Sequence, residues 1–187
     1  MIKPVLFVIS APSGAGKSTL IQRIRAILPD LFYSVSYTTR SHRQGEMNSI
    51  DYYFVDKEKF LEMIQSGAFL EWKEVHGSMY GTPLEPIRTA LKNGRRCVMD
   101  IDVQGALEVF AKMKESIGIF ISPPDSRILE ERLRSRGSDS EESIKTRLQN
   151  AARELQFSDV FPYQIVNLDL ERATQELIEV IRRESEY

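Results

Sequence analysis

The residues best suited to chemistry in this chain form a run of small and polar side chains near its start. The run reads Ala11-Pro12-Ser13-Gly14-Ala15-Gly16-Lys17-Ser18-Thr19. Glycine lets a backbone approach an anion where a Cβ would block it, lysine reaches the outer phosphates of a nucleotide, and the hydroxyl after it can ligate Mg²⁺. We therefore predict that the run binds a nucleoside triphosphate and that Ser18 binds the metal. Ala11 stands where the strict phosphate-loop pattern has glycine, and a plain connecting loop is the alternative interpretation.

Two apolar segments place this run between a strand and a helix. Residues 5–9 are continuously apolar, which is typical of a strand buried on both faces. After Lys17, the apolar residues Leu20, Ile21 and Ile24 recur at helical spacing. Backbone N–H groups at the start of such a helix attract anions, and the helix dipole adds to that attraction. The order strand, loop, helix is therefore the one that phosphate binding requires.

Composition excludes several other classes of protein. The chain has 187 residues, a formal net charge of −2, one cysteine and two histidines. The single Cys97 excludes an intrachain disulfide and a cysteine zinc site, and His42 and His76 are too few for a histidine metal cluster. The slightly acidic balance argues against non-specific nucleic-acid binding. No apolar run is long enough to span a membrane, and Met1 leads directly into a core strand, so we expect a cytoplasmic protein without membrane partners.

Strands alternate with helices along most of the chain, which indicates an α/β fold with a parallel sheet flanked by helices. We expect one domain, residues 1–187, whose core comprises the ranges 1–33, 83–122 and 160–187. Residues 34–82 are rich in aromatic and β-forming residues and predict a strand-dominated, antiparallel insert. Residues 123–159 predict two helices with a short polar joint, which is suited to a hinged lid.

Local signals also predict where two helices begin. Asp56 is expected to cap a short helix that ends at Gly67. Thr82 is expected to cap the next helix, with Pro83 at its first position and Glu85 completing a capping box.

Several separated motifs resemble the guanylate kinase family in their order and spacing. They are Ser34-Val35-Ser36-Tyr37-Thr38-Thr39-Arg40, Arg43, Gly45-Glu46, Tyr52, Leu70-Glu71-Trp72, Tyr80-Gly81-Thr82 and Asp100-Ile101-Asp102-Val103-Gln104-Gly105. The resemblance covers nearly the whole chain. It implies a P-loop core, a strand-rich GMP-binding insert and an arginine-bearing lid. It also implies an enzyme that transfers the γ-phosphoryl group of ATP to GMP with Mg²⁺, giving ADP and GDP.

The resemblance assigns a set of residues to the acceptor nucleotide. They are Ser36, Arg40, Arg43, Tyr52, Glu71, Tyr80, Thr82 and Asp100. The two arginines and two tyrosines would hold the GMP phosphate, because a planar guanidinium offers paired donors and a phenol adds a neutral one. The other four would read guanine, since Glu71 can accept from both N1–H and the 2-amino group. The alternatives are a solvated loop for the arginines, aromatic packing for the tyrosines, an exposed strand acid for Glu71 and a helix cap for Thr82.

The resemblance also assigns residues to the donor side. Arg132, Arg136 and Arg147 would close over the triphosphate, Asp102 would orient Mg²⁺ through water, and Asn167 would contact the adenine of ATP. Catalysis is then expected to depend on Lys17, Arg40 and the three lid arginines, without a general base, because the acceptor phosphate is already ionised. Capping of the following helix is the alternative for Asp102.

Four further positions depart from the family pattern or lie outside it. Leu168 stands where an acid is common, and His42 stands where the family usually has proline. We interpret Arg134 as solvated and His76 as a turn residue.

Other classes of function fit the sequence less well. A non-catalytic guanylate-kinase-like module would bind phosphorylated peptides, but such modules typically lack the phosphate-loop residues that this chain has at Gly14, Gly16, Lys17 and Ser18. A kinase for another nucleoside monophosphate conflicts with Glu71 as a guanine reader. A GTPase would need an N-K-x-D stretch, which the sequence lacks. Both a monomer and a homo-oligomer are compatible with these patterns.

Overall fold

The fold alternates strands and helices around one central sheet. The structure is a computed structural model that describes residues 2–43, 45–75, 77–135 and 140–186. In chain order the elements are β1 (Leu6–Ser10), α1 (Lys17–Ile27), β2 (Phe32–Tyr33), β3 (Tyr37–Thr38), β4 (Tyr53–Phe54), α2 (Lys57–Gln65), β5 (Phe69–Val75), β6 (Ser78–Pro83), α3 (Leu84–Lys92), β7 (Cys97–Asp100), α4 (Val103–Lys112), β8 (Ile117–Ser122), α5 (Ser126–Ser135), α6 (Glu141–Leu155), a short 3₁₀ helix (Ser158–Val160), β9 (Tyr163–Val166) and α7 (Leu170–Glu184).

The central sheet is parallel, as the sequence predicted. Its strand order is β2-β7-β1-β8-β9, and each neighbouring pair runs in the same direction. All five residues of β1 are buried, because helices cover both faces of the sheet. The carboxyl ends of β1, β7 and β9 therefore lie along one edge, and each is followed by a segment with predicted site residues.

The two faces of β1 enter two different hydrophobic cores. Phe7 and Ile9 point into a cluster that includes residues of α1 and α7, such as Leu20 and Leu177. Leu6 and Val8 point to the opposite face, where residues of α3 and α4, such as Ile87 and Val109, are among the packing partners. This alternation follows from the two-residue period of a strand. Burial on both faces fixes the position of the loop that follows β1.

The insert contains a separate sheet, and its pairing differs from the prediction. The strand order is β4-β3-β6-β5, in which β6 is antiparallel to both β3 and β5 but β3 is parallel to β4. The prediction of an antiparallel insert was therefore wrong at one pairing. Phe60, Phe69 and Met79 form the small core of this sheet against α2.

The helix starts test the predicted caps. The Asp56 side chain accepts a hydrogen bond from the Lys59 N–H, so this cap is confirmed. Thr82 is not a cap. The chain is still in β6 at that residue, Pro83 is the residue before the first turn of α3, and no side chain caps that helix. The Thr82 hydroxyl instead donates a hydrogen bond to the buried carboxylate of Glu71.

The predicted lid consists of α5 and α6, which pack on each other through their own small core. Leu129, Leu133, Ile144 and Ala151 are the buried residues of this cluster. Ser140 caps α6 by accepting from the Ser143 N–H. The predicted joint comprises residues 137–140, and Ser140 is its only described residue; Arg136, residues 137–139 and His76 lie outside the described part of the chain. Within the described ranges, no helix is long and apolar enough to cross a membrane.

Gly118 in β8 offers a test of the packing between the sheet and α4. A Cβ there would lie 2.5 Å from Phe110 Cζ and 2.9 Å from Phe161 Cδ1. We expect Gly118→Ala to lower the free energy of unfolding by about 1–3 kcal/mol, measured by urea denaturation, because the added methyl overpacks the core. Phe110→Leu removes the nearest ring, so the double variant should lose less stability than the sum of the two single variants. Additive losses would contradict this steric explanation.

Candidate active site

The phosphate loop is packed so tightly that two of its positions accept only glycine. Gly14 and Gly16 have φ values of 94° and 92°, which side chains rarely adopt. A Cβ on Gly14 would lie 2.8 Å from Leu129 Cδ1, and one on Gly16 would lie 2.3 Å from Asn167 Nδ2. The glycines thus allow close packing by α5 and by Asn167, in addition to leaving the backbone open to an anion.

The start of α1 is left open for a negative charge. Gly16 precedes the first turn without a side-chain cap, and that turn contains no acidic residue. The Lys17 ammonium donates to the Ile101 carbonyl at 3.1 Å and lies 3.3 Å from Asp100 Oδ2. Ser18 and Thr19 are exposed beside it. Unpaired N–H groups, the dipole and a lysine together form a site for phosphate oxygens.

Asn167 contacts the phosphate loop directly, and Arg132 contacts Asn167. Asn167 is only 4% exposed, and its side-chain amide donates to the Ala15 carbonyl at 2.7 Å. Arg132 donates from Nη2 to the Asn167 carbonyl at 2.8 Å. Within the described residues, Asn167 Oδ1 and Arg132 Nη1 are buried without a hydrogen-bond partner. Asn167 therefore contacts the loop itself here, and its predicted contact with adenine stays a prediction.

The other arginines of α5 and α6 differ in their surroundings. Arg147 donates from Nη1 to the Ser13 hydroxyl at 2.9 Å, so α6 already reaches the phosphate loop. Arg134 pairs with Glu130 and Glu141 at the surface, in agreement with its interpretation as a solvated residue.

A cavity of about 250 Å³ lies between the insert and the phosphate loop. Its lining includes Lys17, Ser36, Tyr52, Glu71, Lys73, Tyr80, Asp100 and Asp102. Glu71 is only 4% exposed, so the alternative interpretation, an exposed strand acid, is wrong. The Thr82 hydroxyl donates to Glu71 Oε1 at 2.6 Å, and Ser36 Oγ lies 3.3 Å from Thr82 Oγ1. Burial raises the pKa of Glu71.

A second cavity of about 250 Å³ shares Tyr52 and Asp100 with the first. Arg40, Arg43 and Ser18 also line it. The structure thus places the predicted acceptor-phosphate arginines next to the predicted guanine readers. His42, between the two arginines, packs on Phe54 with ring centroids 4.7 Å apart.

Glu46 is a site residue to which the sequence assigned no role. Arg40 donates to it in a bidentate pair, with Nη1 at 2.8 Å from Oε2 and Nη2 at 2.7 Å from Oε1. The Arg43 N–H donates to the same carboxylate at 2.9 Å. The Arg40 hydrogen bond lowers the pKa of Glu46 to about 2. One carboxylate therefore orients the Arg40 guanidinium and holds the Arg43 backbone beside it. The only sequence signal for such a role was that Glu46 lies in the Gly45-Glu46 motif of the family.

The two site tyrosines both line the cavity and pack on each other. Tyr52 and Tyr80 are arranged edge to face, with ring centroids 6.0 Å apart. The Arg40 guanidinium lies over the Tyr52 ring at 5.2 Å. Burial raises the pKa of Tyr52, which keeps its hydroxyl protonated as a donor. Aromatic packing and a role in ligand binding are compatible at these positions.

Asp100 connects the two nucleotide-facing regions, and Tyr33 is a partner that the sequence did not indicate. The Tyr33 hydroxyl donates to Asp100 Oδ1 at 2.6 Å, while Lys17 approaches Oδ2. Burial, followed by the Asp100 charge, raises the pKa of Tyr33. The aspartate is thereby fixed at the end of β7, between the phosphate loop and the insert.

Asp102 caps α4, which was the alternative interpretation of this residue, and it also forms an ion pair. Its Oδ1 accepts from the Gly105 N–H at 3.0 Å and caps α4, and its Oδ2 pairs with Lys73. Within the described ranges, no group of three or more His, Cys, Asp or Glu residues could hold a metal by itself. The Ser18 hydroxyl and the Asp102 carboxylate are hard oxygen donors. They fit Mg²⁺, which keeps several waters and is commonly bound together with substrate phosphates.

These features define a P-loop nucleotide-binding protein of the phosphotransferase type. A solved shikimate kinase from Bacteroides thetaiotaomicron aligns with a TM-score of 0.51 at 15% identity, covering 95% of this chain and 98% of that one, and supports the fold alone. The family model for guanylate kinase matches residues 3–184. The chain belongs to the guanylate kinase family.

Individual relatives agree with this membership over nearly the full length. A guanylate kinase from Carboxydothermus hydrogenoformans is 47% identical over 98% of this chain and 90% of its own. One from Desulfotalea psychrophila is 50% identical over 97% and 90%. The crystal structure of guanylate kinase from Anaplasma phagocytophilum aligns with a TM-score of 0.78 at 33% identity, covering 98% of this chain and 87% of that one.

The Arg40–Glu46 pair predicts how stability changes in acid. The folded pKa of Glu46 lies below its ordinary value of 4.5, so the pair stabilises the fold above that pH and loses this effect as the pH falls toward 2. We expect Glu46→Gln to lower the free energy of urea unfolding at pH 7. The difference from wild type should shrink between pH 4.5 and pH 2. Glu58→Gln, in the first turn of α2, is the control. A difference that stays constant down to pH 3 would contradict the pairing.

Proposed function

We propose that this protein transfers the γ-phosphoryl group of ATP to GMP, giving ADP and GDP. The observation that carries the proposal is the adjacency of three parts: an open phosphate loop, a cavity with the buried carboxylate of Glu71, and a second cavity lined by Arg40 and Arg43. A loop alone would indicate only nucleotide binding. A guanine-type acceptor site that shares Asp100 with an arginine-lined cavity supports a phosphorylated guanine nucleotide as acceptor.

Each side chain has a distinct role in this proposal. Lys17 leaves Asp100 and binds the transferring phosphoryl group, while Arg40, Arg43, Tyr52 and Tyr80 hold the acceptor phosphate in line. Ser36, Glu71, Thr82 and Asp100 read guanine. The acceptor oxygen needs no general base, because it is already ionised. Catalysis is then positioning and neutralisation of charge by groups that the fold orients in advance.

The donor side is completed by the lid and by Mg²⁺ bound with ATP. Arg132, Arg136 and Arg147 would close over the triphosphate and exclude water. Ser18 would ligate Mg²⁺ and Asp102 would orient it through water, and the ion would neutralise charge on the phosphates. Asn167 would support the adenine end. The regions 34–82 and 123–159 would act as acceptor-binding insert and lid. We propose that the protein acts in purine nucleotide metabolism in the cytoplasm.

One coupled assay tests the reaction and its acceptor. ADP formation from ATP and Mg²⁺ is measured with GMP, AMP, UMP or dTMP as acceptor. We expect turnover with GMP to exceed that with the others by about 10⁴ in kcat/KM, because a site built on hydrogen bonds rejects a base that leaves them unpaired. A binding module would give no turnover with any acceptor.

Lys17→Met tests the phosphate loop. The lysine charge acts on the transferring phosphoryl group, so kcat should fall by about 10²–10³ or more while the fold remains intact. Far-ultraviolet circular dichroism checks the fold. Lys59→Met, at an exposed lysine that pairs with Glu62, is the control and should keep wild-type activity. A Lys17→Met enzyme with more than half of the wild-type kcat would refute the assignment of Lys17.

Glu71→Gln tests the reading of the base. The substitution keeps the shape but replaces one acceptor oxygen with a donor, which opposes a guanine donor and suits adenine N1. We expect kcat/KM for GMP to fall by about 10² or more, because a buried donor is left unpaired, while AMP is penalised much less. Glu74→Gln, at an exposed residue of the same strand, is the matched control. An unchanged GMP-to-AMP ratio in a folded Glu71→Gln variant would mean that guanine is read elsewhere.

A further inference from the structure

Lys73 lies in the proposed acceptor cavity without an assigned role. It is two residues after Glu71 on β5 and therefore on the same face of the strand, and it is paired in register with Tyr80 of β6. Its side chain is about one-third exposed and lines the same cavity as Lys17, Asp100 and Asp102. A long, half-buried stem that leads a charge into a nucleotide site is more than a solvated surface lysine.

The partner of Lys73 is the carboxylate proposed to orient the metal. Asp102 Oδ1 is used by the helix cap, through the Gly105 N–H. Oδ2 is used by the Lys73 ammonium. Both oxygens of this carboxylate therefore have partners within the chain, and the partner of Oδ2 is a cation.

The charges that line the cavity make this cation important. Two lysines, Lys17 and Lys73, face three carboxylates, those of Glu71, Asp100 and Asp102. Lys17 already pairs with Asp100. Without Lys73, the Asp102 charge would have only the neutral Gly105 N–H as a partner among these contacts. A divalent cation near Asp102 would then be attracted more strongly, because the attraction between unlike charges is only partly screened in a half-buried site.

We propose that Lys73 is a positioning residue of this site, whose ammonium competes with the nucleotide-bound metal for the Asp102 carboxylate. This inference rests on the proposed function, since the metal enters with the nucleotide. Lys73 holds Asp102 in place before the nucleotide binds and limits how tightly the metal is held afterwards. A weaker hold on the metal favours exchange of the metal–nucleotide complex between turnovers.

The test measures metal binding without catalysis. Mn²⁺ serves as the probe, with saturating ADP and no GMP, and its free concentration is measured by electron paramagnetic resonance. We expect the Kd of Mn²⁺ in the ADP complex to be about three- to tenfold lower in Lys73→Met than in wild type, because a competing positive charge is lost. Lys73→Arg keeps the charge and should stay within about twofold of wild type.

Controls separate this inference from the proposed function. Lys59→Met removes a lysine charge outside the site and should leave the Kd of Mn²⁺ unchanged. A Kd that is equal or higher in a folded Lys73→Met variant would overturn the role of Lys73, and so would a Lys73→Arg variant that behaves like Lys73→Met. If wild type binds Mn²⁺ and ADP but does not phosphorylate GMP, the proposed acceptor is wrong while the comparison at Lys73 still stands.

Discussion

The contact between the Asn167 side chain and the phosphate loop is the constraint on which the rest of the site depends. The amide donates to the Ala15 carbonyl and occupies the space where a side chain at Gly16 would lie. Asn167 directly follows β9, and the loop follows β1, so the parallel sheet sets the distance between them. Arg132 of α5 then donates to the carbonyl of the same asparagine. The sheet, the phosphate loop and helix α5 are joined at Asn167. A nucleotide bound to the loop would therefore affect all three.

Three pairs of charged groups in the site are formed within the protein itself. Lys17 pairs with Asp100, Arg40 with Glu46 and Lys73 with Asp102. Breaking a buried or half-buried pair costs free energy unless a new partner replaces the old one. The Arg40 pair need not break, because its bonds to Glu46 and to the Ser41 carbonyl use three of the five guanidinium donors. Glu46 therefore orients Arg40 while leaving donors for a phosphate.

Local patterns predicted those parts of the fold that short segments decide. The apolar run before Gly14 and the helical spacing after Lys17 fixed the strand, loop and helix, because each signal lies within a few residues. Strand direction in the insert was mispredicted, since β3 and β4 have only two residues each and carry almost no pattern. Thr82 had a good local capping signal, but the contact with buried Glu71 prevailed. The roles of Glu46, Lys73 and Tyr33 could not be assigned from the sequence, because their partners become neighbours only in the folded structure.

Burial of Glu71 would give the proposed acceptor site a physical basis for base selection. The carboxylate is desolvated, and its hydrogen bond from Thr82 satisfies only part of its acceptor capacity. Keeping it ionised therefore costs free energy. A base with two adjacent donors supplies what the site lacks, whereas a base with a lone pair at the same place adds repulsion to an existing cost. If Glu71 reads the base as proposed, the penalty for the wrong base is therefore built into the folded protein. Thr82 sustains this state by orienting the carboxylate, which explains why its hydroxyl is used here and not at the start of α3.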